Sequence, residues 1–95
     1  MRLHWEADPV VGQHFPFSVD RTVGVASIQI SINNRAVFAF DCEDPPCHEA
    51  FFVPPGTVGS VMVLLARDDQ DTERVEFVIR DLDAGRAMEY ESSRA

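Results

Sequence analysis

The sequence contains no lysine, and all eight of its basic residues are arginine. With 16 acidic residues, the formal net charge at pH 7 is −8. No segment groups the arginines into a basic stripe of the kind that releases counterions from a nucleic acid backbone. We therefore predict that the protein does not bind nucleic acids. The same lack of basic clusters argues against anionic membrane surfaces.

The sequence also lacks a long apolar run. No segment approaches the roughly 20 apolar residues that a membrane-spanning helix needs. Residues 1–6 do not show the charged start and apolar stretch of a signal peptide. The 95 residues, 45% of them hydrophobic, suffice for one modest core. We predict a single soluble domain at residues 1–90 and a flexible C-terminal tail at residues 91–95.

Signatures of catalysis are missing as well. No nucleophile lies in a strand-to-helix elbow or a Gly-rich turn. The acidic runs at residues 68–73 and 81–85 do not place a glycine and a distal glutamate at the spacing of a calcium loop. We therefore predict that the protein is not an enzyme and needs no cofactor.

Short segments in which apolar and polar residues alternate predict β-strands. In the clearest of them, alternation over residues 26–32 is followed by an Asn33-Asn34-Arg35 turn and a second alternating segment, which predicts a β-hairpin. Other strands are predicted near residues 3–5, with Leu3 and Trp5 facing the core, and near residues 15–19, 51–53, 60–66 and 75–79. Pro16 cannot donate to a ladder, so it predicts either an edge strand or a proline at the first residue of its strand. The continuous apolar run at residues 60–66 predicts a central strand covered on both faces.

Residues 72–83 fit two patterns. Val75, Phe77 and Ile79 alternate with charged residues as in a strand. A helical stripe also passes through the segment, at Val75, Val78, Ile79 and Leu82. We favour the strand, because Phe77 lies off the stripe and β-branched and aromatic residues dominate the segment. Seven short strands at intervals of about ten residues then predict an all-β, antiparallel β-sandwich.

Several segments resemble bacterial immunoglobulin-like domains. Residues 53–63 (VPPGTVGSVMV) contain a P-x-G-x-x-G turn before an apolar strand, and residues 66–69 (ARDD) contain an A-x-D turn. Residues 75–79 (VEFVI) resemble the last strand of such domains, and residues 8–15 (DPVVGQHF) resemble their beginning. The resemblance implies an immunoglobulin-like sandwich of about seven strands, in a family of spacer, adhesion and docking modules without catalytic residues.

The chain departs from antibody-type domains at three positions. Cys42 and Cys47 are too close in sequence for the inter-sheet disulfide of those domains. Trp5 lies in the first strand, and Tyr90 comes too late for a tyrosine corner. These departures weaken any narrower family assignment.

Residues 41–49 (DCEDPPCHE) hold both cysteines, one of the three histidines and several carboxylates. The two prolines between the cysteines favour a fixed turn that lets the sulfurs meet. We favour a Cys42–Cys47 disulfide, which implies an oxidising, extracytoplasmic compartment. Two alternatives stay open: a zinc or copper site built from Cys42, Cys47 and His48 with a carboxylate oxygen, and two free thiols.

These observations predict a non-enzymatic immunoglobulin-like module that contacts a protein partner through end loops or a sheet edge. The candidate contact residues are Asp41, Glu43, Asp44, His48, Glu49, Asp68, Asp69 and Asp71. The first alternative function is a small acidic inhibitor whose carboxylates imitate phosphates and occupy a basic nucleic-acid-binding surface. Such a decoy needs its acids on one continuous surface. The second alternative function is a metal or redox site in the Cys42–His48 loop.

Overall fold

The computed structural model describes residues 1–82, in which seven antiparallel strands form two sheets. The strands are β1 (Arg2–Trp5), β2 (His14–Asp20), β3 (Ala26–Ile32), β4 (Arg35–Cys42), β5 (Cys47–Phe52), β6 (Val61–Arg67) and β7 (Thr72–Val78). One sheet has the order β1-β2-β5, and the other has the order β4-β3-β6-β7. The all-β sandwich is therefore confirmed, whereas the predicted tail lies outside the described residues.

The core lies between the two sheets, because alternate side chains of the central strands point inward. Ile30 and Leu64 are register partners on β3 and β6, and both are fully buried. Burying one such side chain stabilises the fold by about 1.5–3 kcal/mol. The other core residues of β2, β3 and β6 are Phe15, Phe17, Val19, Ala26, Ile28, Ile32, Met62 and Ala66.

The predicted hairpin is confirmed in β3 and β4. Asn33 and Asn34 connect the strands with positive φ angles of 50° and 66°, as the turn chemistry of asparagine allows. The register shifts between Ile30 and Ser31, because Ile30 pairs with Phe38 while Ser31 pairs with Ala36. Val37 is therefore the extra residue of a β-bulge in β4.

Two predictions about the sheets were wrong, one about the position of β2 and one about the outer face of β6. Pro16 marks neither a sheet edge nor the start of its strand, because β2 begins at His14 and is the central strand of its sheet, where Pro16 pairs with Ala50. The proline is tolerated there because β1 ends at Trp5, opposite Phe17, and so does not extend alongside Pro16. The β6 strand is central, as predicted, but its outer face is not covered, since Val61 is 40% exposed.

Residues 72–83 fitted both a strand pattern and a helix pattern. The structure has a strand at Thr72–Val78, so the strand prediction is confirmed. On this side of the sandwich, the rings of Trp5 and Phe77 form a T-shaped pair with a centroid distance of 5.4 Å. The backbone N–H of Leu3 also donates to Glu73 Oε2 at 3.1 Å. Trp5 nevertheless remains 37% exposed, because β1 is an edge strand, and it is not the core residue that the sequence suggested.

After β1 the chain leaves the three-stranded sheet and joins the edge of the other one. Val10 forms a parallel bridge with Arg80. The Val11 N–H donates to the Arg80 carbonyl at 3.1 Å, and the Arg80 N–H donates to the Pro9 carbonyl at 2.9 Å. The loop between β1 and β2 therefore ties the two sheets together at the end of the sandwich where β1 and β7 finish.

The directions of the strands bring three loops to one end of the sandwich. Val19 pairs with Cys47, and Ala26 pairs with Cys42, so β2 and β4 finish at the same end. Ser27 pairs with Arg67, which places the end of β6 there as well. The loops at residues 21–25, 43–46 and 68–71 therefore share this end, which we call the acidic end. Its carboxylates are Asp20, Asp41, Glu43, Asp44, Asp68, Asp69 and Asp71.

Candidate functional site

A disulfide closes one corner of the acidic end. The sulfurs of Cys42 and Cys47 are bonded, and the two Cα atoms lie 6.0 Å apart. The predicted disulfide is therefore confirmed. The free-thiol alternative was wrong, and so was the metal alternative with Cys42, Cys47 and His48, because the thiolates that a metal requires are consumed in the bond.

The disulfide also connects the two sheets, contrary to the expectation from its short spacing. Cys42 is the last residue of β4 and Cys47 is the first residue of β5. These strands belong to different sheets, and only residues 43–46 connect them. Because the chain crosses the sandwich in so few residues, a local bond serves as an inter-sheet bond. The exposed side chains of Glu43 and Asp44 are thus presented on a loop that is closed at both ends.

His48 and Glu49 are the second and third residues of β5, directly after Cys47, and do not belong to the loop at residues 43–46. His48 is exposed and pairs with Ser18, and Ser18 pairs on its other side with His4. Two imidazoles therefore flank one hydroxyl on the outer face of the three-stranded sheet. Glu49 lies in the next row, opposite Phe17, and is half-buried.

A shallow groove of about 540 Å³ lies beside this row. It opens where β1 ends at Trp5, since no strand continues alongside Pro16. Its lining residues are His4, Trp5, Glu6, Pro16, Phe17, Ser18, His48 and Glu49. Sequence reasoning missed this groove, because the histidines come together only through the register of three strands.

Asp68 is a structural brace and not an exposed contact group. It is 9% exposed. One carboxylate oxygen accepts the backbone N–H of Val23 at 3.0 Å. The other accepts the N–H groups of Gln70 at 2.9 Å and Asp71 at 2.7 Å. These donors, Val23 first, lower the pKa of Asp68 below the usual aspartate value because they stabilise the charged form.

The brace could have been suspected from the sequence in part. Aspartate commonly bonds backbone N–H groups two and three residues later, as Asp68 does in the DDQD turn. The contact with Val23 has no local signal, because it joins two loops that are 45 residues apart. It fixes the loop at residues 68–71 against the loop at residues 21–25.

Asp69 and Asp71 present exposed carboxylates on this braced loop. The backbone N–H of Asp69 donates to the carbonyl of Val23 at 3.0 Å, and its side chain lies beside Gly24. Asp71 Oδ1 accepts the N–H of Thr72 at 2.9 Å. Two hydrogen bonds thus attach this loop to the loop at residues 21–25, one through the Asp68 side chain and one through the Asp69 backbone N–H. Both exposed acids therefore lie on ordered backbone.

Asp20 forms a side-chain pair at the same end. Its Oδ2 atom lies 2.9 Å from His4 Nε2. This hydrogen bond is the main cause that lowers the pKa of Asp20 below its usual value. Asp20 also pairs in register with Arg2. The charged form of Asp20 is therefore stabilised mainly by its hydrogen bond to His4, with a smaller electrostatic contribution from Arg21.

The acidic end also carries positive charge. Arg2, Arg21 and Arg67 lie at strand ends beside the acidic loops. The predicted acidic contact residues that remain exposed at this end form two groups. Asp41, Glu43 and Asp44 lie at the disulfide corner, and Asp69 and Asp71 lie on the β6–β7 loop, with the loop at residues 21–25 beside it.

Within residues 1–82, no three or more His, Cys, Asp and Glu side chains are grouped so that they could hold a metal ion. No helix in this range is long and apolar enough to span a bilayer. No protein-family model, curated protein or solved structure matches the chain. The geometry of the acidic end and the fold around it must therefore carry any functional argument.

Proposed function

We propose that this chain is a non-enzymatic immunoglobulin-like module that binds a protein partner through the acidic end. The strand order supports the immunoglobulin-like assignment. In such sandwiches the first, second and fifth strands share one sheet, and the third, sixth and seventh strands share the other. Here β4 joins the sheet of β3 instead of extending the first sheet. The orders β1-β2-β5 and β4-β3-β6-β7 follow this arrangement. The Val10–Arg80 bridge shows in addition that the segment after β1 crosses from the three-stranded sheet to the edge of the four-stranded sheet.

The observation that carries the binding proposal is that both acidic loops are fixed. The disulfide closes the loop with Glu43 and Asp44, and Asp68 braces the loop with Asp69 and Asp71. A loop that is already ordered loses less conformational entropy when a partner binds. Exposed carboxylates on such loops attract a basic surface and select its orientation.

The disulfide supports the proposal that the module works in an oxidising, extracytoplasmic compartment. Disulfides persist outside the reducing cytosol, where thiol systems would otherwise open them. An adhesion or docking role fits that setting. A partner with an exposed basic patch is the chemistry that the acidic end would recognise.

The acidic decoy remains a second candidate, because the acids do gather at one end. Mimicry of a phosphate backbone requires regularly spaced charges without interruption. Arg2, Arg21 and Arg67 interrupt this surface, and the Asp68 carboxylate is turned inward. These features favour a protein-docking module over a decoy.

The proposal can be tested by ¹⁵N NMR titration with a short oligo-arginine peptide as the basic probe. We expect the largest amide shifts at residues 41–46 and 68–71. The binding should weaken between about 20 mM and 150 mM salt, as screening shortens the reach of exposed charges. Shifts spread evenly over the chain would contradict the assignment of the site.

Neutralising variants make the test specific. We compare two double variants, Glu43→Gln with Asp44→Asn and Asp69→Asn with Asp71→Asn. Each should weaken binding of the peptide by about two- to fivefold, the effect of one or two exposed ion pairs. The matched control is Asp8→Asn, an exposed acid at the opposite end, which should change the affinity by less than half as much. An equal loss in the control would sink the proposal.

A competition experiment separates the module from the decoy. A basic DNA-binding domain is bound to a fluorescent duplex, and the chain is added at increasing concentration. The module does not release the DNA at stoichiometric concentration, whereas a phosphate mimic does. Stoichiometric release would favour the decoy.

A further inference from the structure

The loop at residues 21–25 exposes two apolar side chains at the acidic end. Val23 is 42% exposed and Val25 is 50% exposed. Within residues 1–82, the other large apolar side chains that are exposed lie along the strands or at the opposite end. Single exposed valines are common on protein surfaces. Two on one short loop form a small apolar patch, which we call the valine pair.

The backbone around Val23 is fixed by three hydrogen bonds. The Val23 N–H donates to Asp68 Oδ2 at 3.0 Å, and the Val23 carbonyl accepts the N–H of Asp69 at 3.0 Å. The Thr22 hydroxyl donates to the Gly24 carbonyl at 2.8 Å. A branched valine side chain has few rotamers, so covering it costs little side-chain entropy. Val23 is therefore presented to solvent in a position that is set before a partner binds.

The valine pair lies between the two groups of exposed acids. Val25 precedes Ala26, and Ala26 pairs with Cys42 on β4, so Val25 lies beside the disulfide corner. Val23 lies beside the β6–β7 loop, to which its backbone is hydrogen-bonded. Carboxylates are therefore present on both sides of an apolar centre.

The charges around the valine pair define what can cover it. Five exposed acids lie in the two groups, against three exposed arginines at this end, so the surface is negative. A purely apolar partner would remove carboxylates from water without pairing them, which costs energy. A purely basic partner would leave the valines in water. A segment with an aliphatic side chain between basic residues meets both requirements, as in interfaces with an apolar core and a polar rim.

We propose that the valine pair is the apolar centre of the partner site, and that the partner presents an aliphatic side chain flanked by arginine or lysine. The inference rests on the proposed function, because it concerns the same acidic end. It adds the apolar chemistry that the carboxylates alone do not specify. Affinity then depends on more than the number of basic residues in the partner.

Two hexapeptides separate this inference from the proposed function. Each has two arginines at either end, and the central pair is leucine in one peptide and serine in the other. In ¹⁵N NMR titrations of the full chain at low salt, we expect the leucine peptide to bind about five- to tenfold more tightly, because its side chains cover the valine pair. Equal affinities would overturn the inference but leave a charge-driven site. Failure of both peptides to bind at residues 41–46 and 68–71 would contradict the proposed function, and the inference with it.

The double variant Val23→Ser with Val25→Ser tests whether the valine pair recognises leucine. It should bind the serine peptide as the parent chain does, and its preference for the leucine peptide should fall below about twofold. The matched control is Val58→Ser, because Val58 is 49% exposed on the loop between β5 and β6, at the opposite end. The control should keep the full preference. A preference that survives in the double variant, or that falls equally in the control, would refute the role of the valine pair.

The double variant Val23→Thr with Val25→Thr repeats the test with a smaller change to the loop. Threonine keeps the branched Cβ and replaces one methyl group by a hydroxyl. The hydrogen bond to Asp68 should remain, because it comes from the backbone N–H of Val23. We expect the preference for the leucine peptide to fall by about twofold or more. An unchanged preference would contradict the inference even if the serine variant does not fold.

Discussion

The Asp68 carboxylate and the Val23 backbone N–H form a 3.0 Å hydrogen bond between two loops that are 45 residues apart in sequence. The same carboxylate holds the turn of its own loop through Gln70 and Asp71. One buried side chain therefore determines the shape of the β6–β7 loop and its position against the β2–β3 loop. The exposed acids beside it depend on this arrangement.

We predict that Asp68→Asn destabilises the fold more than any neutralisation of an exposed acid on the same loop. An amide has only one acceptor oxygen, so a backbone N–H that is now satisfied would face an NH₂ group. Asp71→Asn is the control, because its side-chain oxygen can still accept the Thr72 N–H. The measurement is urea unfolding of both variants at pH 7. Equal midpoints would show that Asp68 is not a brace.

The pH dependence of the free energy of unfolding should reflect the protonation of Asp68. The folded state lowers the pKa of Asp68, so the contribution of the charged brace is complete above the ordinary aspartate pKa of about 3.9. That contribution is lost as the pH falls below this value and through the lower folded pKa. We expect Asp68→Asn to reduce the difference in unfolding free energy between pH 7 and pH 3. An unchanged difference would contradict this.

Gly24 should tolerate alanine less well than other loop glycines. Its φ is +72°, and a Cβ placed there would meet the carboxylate of Asp69. Gly56 has a φ of +84° but open space around it, so Gly56→Ala should cost only the backbone strain, about 1 kcal/mol. For Gly24→Ala we expect a further loss of up to about 1 kcal/mol, because the exposed Asp69 side chain must turn away from the added methyl group.

The contact with Asp69 can be separated from the backbone strain. In the background of Asp69→Ala, which removes the colliding carboxylate, the extra cost of Gly24→Ala should largely disappear. The comparison is a double-mutant cycle measured by urea unfolding. Additive effects of the two substitutions would mean that the carboxylate moves away without cost.

Reduction of the Cys42–Cys47 disulfide should lower the free energy of unfolding by about 2 kcal/mol, as expected for a short closed loop. The core does not depend on the bond for most of its contacts, so the reduced protein should keep its fold. Urea unfolding with and without reductant gives the difference. The control is the Cys42→Ala, Cys47→Ala double variant, whose stability should not respond to reductant. No effect of reductant on the parent protein would contradict the prediction.

The local features were predictable because their signals lie within a few residues. Asn33 and Asn34 both adopt positive φ, so the hairpin follows from turn chemistry alone. The disulfide followed from two nearby cysteines with prolines between them. The strand in residues 72–83 followed from the β-branched and aromatic residues around Phe77, which outweighed the helical stripe.

The remaining features depend on which strands become neighbours, and alternation does not reveal that. Pro16 suggested an edge, yet β2 is central, because β1 is too short to extend alongside the proline. The disulfide proved to cross between sheets only once β4 and β5 were assigned to different layers. The row of His4, Ser18 and His48 likewise requires two registers at once.

The pair of Asp20 and His4 gives a prediction that a single titration can check. Because the hydrogen bond from His4 is the main cause of the lowered pKa of Asp20, His4→Ala should raise that pKa towards the usual aspartate value. The folded-state pKa is lowered, so the stabilisation from this pair is present above about pH 4 and is lost as the pH falls through the folded value. Carboxyl ¹³C NMR over this pH range measures the change, with Asp68 as the internal control that should titrate as before. If Asp20 titrates identically in both proteins, its environment must be set by Arg21 and the chain terminus instead of by β1.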